Sequence, residues 1–581
     1  MNFFCGQLQR SGSIYFCMNR IVSWFLSLLL ILFCGCAPTK RVARSFLRSG
    51  YGEDALHGHT AYADMVLIYP DPDAMQEVLD CALERIGFDH DPKEYVDIYE
   101  SQARAYDELV SATSLAYVRY CQDISDKERA AEYGKLNSSL YPIQYRLARL
   151  EKELMDRWGY HQERGSAYAE TLDRLRRQDA SQIRMLRNRE DDLCRRYEQL
   201  DSSYRLKFQG RTWSLAELMA DEDLSLQSFL EALELYQEGK NQAAGSLFLE
   251  LITLRKQMAR DAGYSSYAVS QYASYGREYT PEQALNAARI VKQVFVPLYI
   301  RLRERCENDL RYLSGASFRE DEFIGTMEQA VERAMPRAGD AWRYMLDYGL
   351  YDSSPSKKKL RGSFTTYLAA YRCPFLFTQW EDDASSIFTV IHEFGHFLSY
   401  YANPEGTYYG SESLDLAETD AQGFELLMLS EYDAIFGRYA AAARLCFLTN
   451  ALYAILSGFM EDEFQQMAYQ IKDPSIEDLN RLYGELAASY GFDRLFGYEG
   501  REWTEIAHTF QFPFYYVSYG VSMLGAMKLL QEGKKAYGRL LRRNADASFL
   551  TAVGKDVLTE DTIRSLAVWL ENTADAWLQE Y

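Results

Sequence analysis

Most of the chain places hydrophobic residues at intervals of three and four. In YPIQYRLARLEKELMDRWGY, Leu147, Leu150 and Leu154 follow this spacing with charged residues between them. Such a pattern puts the leucines on one face of an amphipathic helix. The stretch ETLDRLRRQDASQIRMLRNREDDLCRRYEQL continues in the same way. The pattern therefore predicts a mainly helical protein.

One stretch departs from the helical pattern. Residues 365–380, TTYLAAYRCPFLFTQW, are rich in aromatic and β-branched side chains and are interrupted by Pro374. Proline has no backbone N–H to give to a strand ladder and is largely confined to sheet edges. The stretch therefore predicts a small β element made of short edge strands.

The start of the chain has the pattern of an export signal. Met18-Asn19-Arg20 gives a short positive start, and the apolar run 21–33 is shorter than a membrane span needs. We expect residues 1–35 to be a signal whose true start is Met18. An uncleaved anchor or an ordinary secretory signal is the alternative.

Gly35 followed by Cys36 resembles a bacterial lipoprotein signal, in which the cysteine is cleaved and lipidated. We expect Cys36 to carry the lipid and residues 36–60 to form a polar tether. This interpretation predicts a lipid-anchored protein of the cell envelope. The six cysteines that follow are widely spaced, and we expect mostly buried free thiols.

Size and charge narrow the classes of function. The chain has 581 residues, more than one core usually serves, so two lobes are expected. We place an N-terminal helical lobe at 61–250 and a second helical region at 251–581. The net charge is −21, which disfavours a nucleic-acid partner because phosphates need a basic surface.

The stretch TVIHEFGHFLSYYA contains two histidines, His392 and His396, four residues apart, with Glu393 after the first. On a helix both imidazoles lie on one face and can bind one metal ion, while the glutamate reaches a water molecule beside it. Imidazole nitrogen is a ligand that zinc accepts. The motif predicts a site for one Zn²⁺ ion.

A catalytic zinc site needs a third protein ligand and an open position. Ser399 and Ala402 occupy the places where a metzincin has glycine and histidine, so that class is excluded. Among the following glutamates the spacing favours Glu418 over Glu425. Asp415, Gln422 and Glu425 share a helical face with Glu418 and are candidates to orient the imidazoles.

Four ordered stretches resemble the oligoendopeptidase F and thimet oligopeptidase family of HExxH zinc metallopeptidases. HEFGH and DLAETDAQGFE are similar to the family's zinc-binding helices, with Glu418 as the third ligand. Residues 259–283 resemble its GY-x-x-YA helix, and HTFQFPFYYVSYG its histidine followed by tyrosines. The resemblance covers roughly residues 250–530, so region 251–581 is expected to be the catalytic one.

The resemblance implies an all-helical, two-lobed zincin with a deep channel and a small β element beside the active-site helix. It implies hydrolysis of internal bonds in short oligopeptides, with Glu393 as general base. It also nominates Tyr519, with Tyr515 as the alternative, to stabilise the developing oxyanion, and His508 as a further donor. We expect a monomer attached to a membrane by its lipid.

Three other functions compete with this interpretation. An exopeptidase of the same clan would remove carboxy-terminal dipeptides, and would need a group that binds the free carboxylate. A lipoprotein that binds peptides without cutting them would not need the general base Glu393. A structural envelope protein would bind no metal at all.

Overall fold

The computed structural model describes residues 57–88, 91–162, 169, 172–173, 181–221, 223–403, 413–543 and 547–579, with 181–184 described by their backbone alone. The export signal and Cys36 lie outside these residues, as does most of the predicted tether. The predicted mainly helical fold is confirmed, since helices make up most of the described chain.

The described α-helices are numbered here in chain order. They are α1 (Pro72–Arg85), α2 (Pro92–Gln122), α3 (Lys127–Trp158), α4 (Ser181–Ser203), α5 (Leu215–Ala220), α6 (Leu226–Asp261), α7 (Tyr267–Ser274), α8 (Pro281–Arg305), α9 (Glu307–Ser314), α10 (Glu320–Ala334), α11 (Pro336–Asp347), α12 (Ala384–Ala402), α13 (Leu414–Met428), α14 (Tyr432–Phe436), α15 (Ala440–Gln470), α16 (Ile476–Ser489), α17 (Phe492–Phe496), α18 (Ala507–Gln511), α19 (Val517–Gln531), α20 (Lys534–Leu540), α21 (Phe549–Val553) and α22 (Glu560–Gln579). The strands are β1 (Leu206–Phe208), β2 (Arg211–Trp213), β3 (Tyr351–Asp352), β4 (Phe364–Leu368) and β5 (Cys373–Phe377).

Helix starts follow local capping chemistry. The Asp71 and Asp91 side chains accept hydrogen bonds from backbone N–H groups in the first turns of α1 and α2, and a proline follows each of them. An aspartate cap satisfies a free N–H, and a proline in the first turn loses no hydrogen bond. Helix α3 ends at Gly159, whose φ of 70° suits glycine. These helix boundaries are therefore local properties of the sequence.

Two clusters contain most of the buried hydrophobic residues of the described chain, and one of them is much larger than the other. Helices α1, α2 and α3 form the smaller cluster around residues such as Leu79, Tyr95 and Leu140. The large cluster extends from α2 to α22 and includes β4, β5, α12 and α13. Helix α2 contributes Leu109 to the smaller cluster and Val118 to the large one. The lobe boundary near residue 250 remains a prediction, and so does the deep channel.

The three-stranded sheet has the order β3-β5-β4, and both β4 and β5 are fully buried. The expectation of edge strands is correct for β4 and wrong for β5, which is central and contains Pro374. The backbone N–H groups of Leu376 and Thr378 bond to carbonyls of the β3 segment. The backbone nitrogen of Pro374 points to the same side of β5, but the pairing with β3 begins only at Leu376. No hydrogen bond of the ladder is therefore lost at Pro374.

The six cysteines of the described chain are free thiols, as predicted. Four of them are buried, Cys194 is half-buried and Cys81 is exposed. By length and composition, the helical stretch Leu414–Gln470 could cross a membrane, but 67% of its most apolar window is buried inside the protein. Its buried residues belong to the large hydrophobic cluster.

Helices α12 and α13 pack unusually closely at Gly395. A Cβ atom at Gly395 would lie 2.6 Å from the Ala421 Cα atom and 3.0 Å from the Ala421 carbonyl oxygen. Contacts below about 3 Å between such atoms are repulsive, so only glycine allows this approach. The two helices are also joined by the Ser399 hydroxyl, which donates to Asp420 at 2.6 Å.

We predict that Gly395→Ala destabilises the fold, because the added methyl group must push two helix backbones apart. Overpacking of this kind costs about 1–3 kcal/mol, which urea unfolding of the metal-free protein will measure. The matched control is Gly325→Ala in α10, where an added Cβ meets nothing within 4 Å. That control should be neutral or stabilising by up to about 1 kcal/mol, since alanine has the higher helix propensity. Equal stabilities of the two variants would contradict the prediction.

Candidate active site

The two histidines of the HEFGH motif lie one turn apart on α12, with their ring centroids 5.0 Å apart. The Asp383 side chain caps this helix by accepting the Ser386 N–H at 2.8 Å. His392 is 4% exposed, whereas His396 is half-buried. The helix therefore presents both imidazoles on one face, and only His396 is partly open to solvent.

The facing helix α13 brings Glu418 to the same place. The candidate ligand atoms of His392, His396 and Glu418 all lie within 4.8 Å of one another. The distance from His392 Nε2 to Glu418 Oε2 is 3.6 Å. Glu418 Oε2 is buried and has no hydrogen-bond partner in the described part of the chain. A buried carboxylate oxygen without a partner is costly unless a cation or donor occupies the space beside it.

These three side chains fit a zinc ion. Two ligands about 2.1 Å from one ion at a tetrahedral angle lie roughly 3.4 Å apart, close to the distance between His392 and Glu418. Two imidazole nitrogens and one carboxylate are also a donor set that catalytic zinc sites use. The predicted group of His392, His396 and Glu418 is thus brought together in space.

The carboxylate of Glu393 lies beside this group and is held by strand β4. The Thr365 hydroxyl is 3.0 Å from Glu393 Oε2 and 2.8 Å from the Glu393 carbonyl oxygen. Burial raises the pKa of Glu393 to about 7, and burial likewise raises the pKa of Glu418 to about 7. These shifts reflect carboxylates gathered in a buried space that favours a cation.

Glu425, one of the predicted orienting groups, contacts an imidazole. Its Oε1 atom lies 3.3 Å from His392 Nδ1, on the side of the ring away from Glu418. Burial opposes protonation of His392, but the charges of Glu425, Glu418 and Glu393 outweigh it and raise the pKa of His392 to about 9. A carboxylate at Nδ1 fixes the tautomer that leaves Nε2 free to bind a metal.

The other two predicted orienting groups have different neighbours. The Gln422 amide donates to the Tyr519 carbonyl oxygen at 3.2 Å, which ties α13 to α19. Asp415 Oδ1 lies 3.8 Å from Arg277 Nε, and both side chains are fully buried. Both residues thus connect α13 to neighbouring segments of the site.

His508 and the tyrosines lie on the segment from α18 to the start of α19. The His508 ring is 5.1 Å from the Tyr515 ring and 6.3 Å from the Tyr519 ring, centroid to centroid. The Tyr515 hydroxyl donates to Glu418 Oε1 at 3.2 Å. Burial lowers the pKa of His508 to about 3, so its imidazole is neutral. All the predicted residues of this segment therefore lie together near the glutamate of α13.

Sequence reasoning missed three groups that hold the site. Thr365, 28 positions before Glu393 in the chain, donates a hydrogen bond to it. Arg277 contacts the turn before α19. Arg543 bonds both carboxylate oxygens of Asp420, on the back of α13. For Arg543 the sequence did offer a signal, which is Asp420 within the apolar helix LDLAETDAQGFELL. A buried charge needs a partner, so an arginine or lysine from elsewhere in the chain was to be expected.

Comparisons with known proteins agree with this geometry. No family model matches the chain. Oligopeptidase PepF of Bacillus subtilis strain 168 is 28% identical over 244 residues, which are 37% of this chain and 35% of that protein. The matched segment thus spans about a third of the curated relative.

Among solved structures, PZ peptidase A bound to an inhibitor has a TM-score of 0.69 at 19% identity, covering 89% of this chain and 99% of that one. Oligoendopeptidase F of Enterococcus faecium has a TM-score of 0.55 at 17% identity, covering 88% and 99%. The chain has the oligoendopeptidase F fold. The resemblance seen in the sequence is thereby confirmed for the fold, and PepF is a homologue over the matched segment. In this fold α12 and α13 carry the candidate metal ligands, and β4 lies beside them.

We predict that Glu418→Ala strongly reduces zinc binding, because it removes the carboxylate that completes the group with the two imidazoles. Zinc content after dialysis, measured by mass spectrometry of the metal, should fall from about one ion per chain to a small fraction. Glu425→Gln on the same helix is the matched control, since it changes only the group at His392 Nδ1. Its zinc affinity should fall about 10–100-fold and recover in excess zinc. Full zinc occupancy of Glu418→Ala would point to another third ligand.

Proposed function

We propose that the protein is a zinc-dependent oligopeptidase that hydrolyses internal bonds of short peptides. The main support is the convergence of His392, His396 and Glu418 donor atoms within 4.8 Å, next to the Glu393 carboxylate, on an oligoendopeptidase F fold. A binding protein without activity would need no general base at this position. A structural protein would have no use for a buried carboxylate oxygen that lies against two imidazoles and has no hydrogen-bond partner among the described residues.

His392, His396 and Glu418 would hold the zinc ion, which when bound supplies a Lewis acid to polarise the scissile carbonyl. Glu393 accepts the proton of the attacking water and delivers it to the leaving amine. The hydrogen bond from Thr365 at 3.0 Å fixes one oxygen of Glu393 and leaves the other for that water. Strand β4 therefore sets the direction from which the base acts.

The two tyrosines that the sequence left as alternatives have different surroundings. The hydroxyl of Tyr515 already donates to Glu418 Oε1, which orients that carboxylate. Tyr519 is half-buried, and its hydroxyl keeps its proton because burial and the charges of Glu418 and Glu393 raise its pKa well above the usual value. We therefore assign Tyr519 to the carbonyl oxygen as it gains negative charge, and Tyr515 to the positioning of Glu418.

His508 is the second donor to the same oxygen. Its imidazole is neutral and buried, and its Nδ1 atom has no hydrogen-bond partner in the described residues. A buried nitrogen without a partner is unfavourable unless substrate or water completes its bonding. This arrangement supports a role in substrate binding or in stabilising the developing charge.

The substrate class follows from the relatives, which are named oligopeptidase and oligoendopeptidase. We propose that the substrates of this chain are short peptides. We also propose that the chain acts as a monomer. We also propose that the chain is a lipoprotein of the cell envelope, with the lipid on Cys36. That proposal rests on the sequence of residues 18–36, and it would place the enzyme where envelope peptides are degraded.

We predict that Glu393→Gln retains zinc but loses about 10²–10⁴-fold in kcat, because the amide cannot accept the proton of the attacking water. The assay uses a fluorescence-quenched peptide of about ten residues, acetylated at its amino end and amidated at its carboxyl end. The matched control is Glu477→Gln, an exposed residue of α16, which should cleave at the wild-type rate.

Chelation of the wild-type enzyme should abolish cleavage of the same peptide, and added zinc should restore it. Near-normal turnover by Glu393→Gln at full zinc content would refute the general-base role. Cleavage only of peptides with a free carboxyl end would instead indicate the exopeptidase.

We predict that Tyr519→Phe and Tyr515→Phe fail in different ways. Loss of the Tyr519 hydroxyl should lower kcat about 10²–10³-fold with unchanged zinc content, because one donor to the developing oxyanion is missing. Loss of the Tyr515 hydroxyl should weaken zinc binding, because Glu418 loses its hydrogen bond. Parallel measurements of kcat and zinc affinity will separate the two roles. The reverse pattern would exchange the assignments.

A further inference from the structure

The turn that leads into α19 contains a backbone conformation that L-residues rarely adopt. Phe514 has φ of 65°, in the left-handed region, although it is neither glycine nor asparagine. It lies between Pro513 and Tyr515, the tyrosine that bonds Glu418. Large side chains adopt this conformation only where their surroundings enforce it, and such residues cluster at functional sites.

Three side chains fix the backbone of this turn. The Phe514 N–H donates to Gln465 Oε1 at 2.9 Å, and the Phe514 carbonyl accepts from Arg277 Nη2 at 2.7 Å. The Tyr275 hydroxyl donates to the Pro513 carbonyl at 3.1 Å. The ring of Phe514 is fully buried. Both backbone polar groups of the strained residue are therefore held by side chains from other helices or loops.

Arg277 connects this turn to the helix that carries the third zinc ligand. Its Nη2 atom also donates to Ser518 Oγ at 2.8 Å, within the first turn of α19. Its Nε atom lies 3.8 Å from Asp415 Oδ1, one helical turn before Glu418. The guanidinium is fully buried against the Tyr272 ring, 4.5 Å from its centroid. One side chain thus contacts both elements whose separation determines where the tyrosines stand relative to Glu418.

We propose that Arg277 is a positioning residue of the active site, which holds Phe514 in its left-handed conformation and thereby fixes Tyr515 and Tyr519 relative to Glu418. The inference rests on the proposed peptidase function for its catalytic consequence, but not for its structural one. A buried arginine that only stabilised the fold would not need to contact the strained residue, the first turn of α19 and α13 together. Hydrogen bonds from the charged guanidinium are also stronger and more directional than neutral ones.

The experiment compares Arg277→Met and Arg277→Lys with wild type. Methionine retains an apolar stem and removes every donor, whereas lysine retains the charge and a single donor group in place of the guanidinium fork. Arg146→Met is the matched control, because Arg146 makes a bidentate pair with Asp80 between α3 and α1. This control removes a half-buried arginine–aspartate ion pair that lies outside the candidate active site.

Two measurements are made on each variant. Hydrogen–deuterium exchange of the peptide covering residues 512–520 should become at least about 10-fold faster in Arg277→Met, because the turn loses its hold. On the blocked peptide in excess zinc, kcat should fall about 100-fold with KM within about threefold, since small displacements of catalytic groups have effects of that size. Zinc affinity should fall in the same direction as in Tyr515→Phe, because Tyr515 is displaced from Glu418. Arg277→Lys should lie between wild type and Arg277→Met in both measurements, and Arg146→Met should match wild type.

Unchanged exchange of residues 512–520 in Arg277→Met would overturn the inference, whatever the activity. Faster exchange with an unchanged kcat would overturn the catalytic part. If Arg277→Met does not fold, Arg277→Lys decides, because wild-type exchange and kcat in that variant would also refute the proposal. A wild-type enzyme that cleaves no peptide would refute the proposed function, while the exchange measurement would still decide the role of Arg277 in the turn.

Discussion

The close approach of α12 and α13 is the constraint on which the site depends. At Gly395 the backbones are so near that a single methyl group would collide with Ala421. This contact brings Glu418 of one helix to within 3.6 Å of His392 on the other. A wider separation, such as larger side chains at the crossing require, would leave the imidazoles and the carboxylate too far apart for one ion. The close packing of this helix pair is thus also what brings the candidate ligands together.

Around the helix pair, several polar groups of the candidate site are held by elements distant in sequence. Strand β4 holds Glu393 through Thr365, Arg543 neutralises Asp420 on the back of α13, and Arg277 holds the turn before α19. Each of these contacts satisfies a charge or polar group that burial would otherwise penalise. The polar network therefore both compensates the cost of burying so many carboxylates and fixes their geometry. Preorganisation of this kind is what a site for charge development needs.

The oligoendopeptidase F fold explains why a mainly helical protein retains a small sheet. The sheet is buried, and β4 lies at its edge, beside the helix that carries the two histidines. Because β5 is central, Pro374 is tolerated only where β3 has not yet begun to pair. Through Thr365 the sheet therefore holds the carboxylate of Glu393, the proposed general base.

The sequence by itself determined what is local. Helical periodicity and the four-residue spacing of His392 and His396 depend on neighbours within one or two turns, and they predicted the helices and two of the candidate ligands. For the third candidate ligand the spacing only favoured Glu418 over Glu425, and the resemblance named Glu418. Both lie on one helical face, and packing decides which carboxylate meets Nε2 and which meets Nδ1. The central place of β5 and the different surroundings of Tyr515, Tyr519 and Arg277 likewise depend on contacts between residues more than 20 positions apart. Such contacts leave no periodic signal in a single sequence, so the tertiary structure alone decided them.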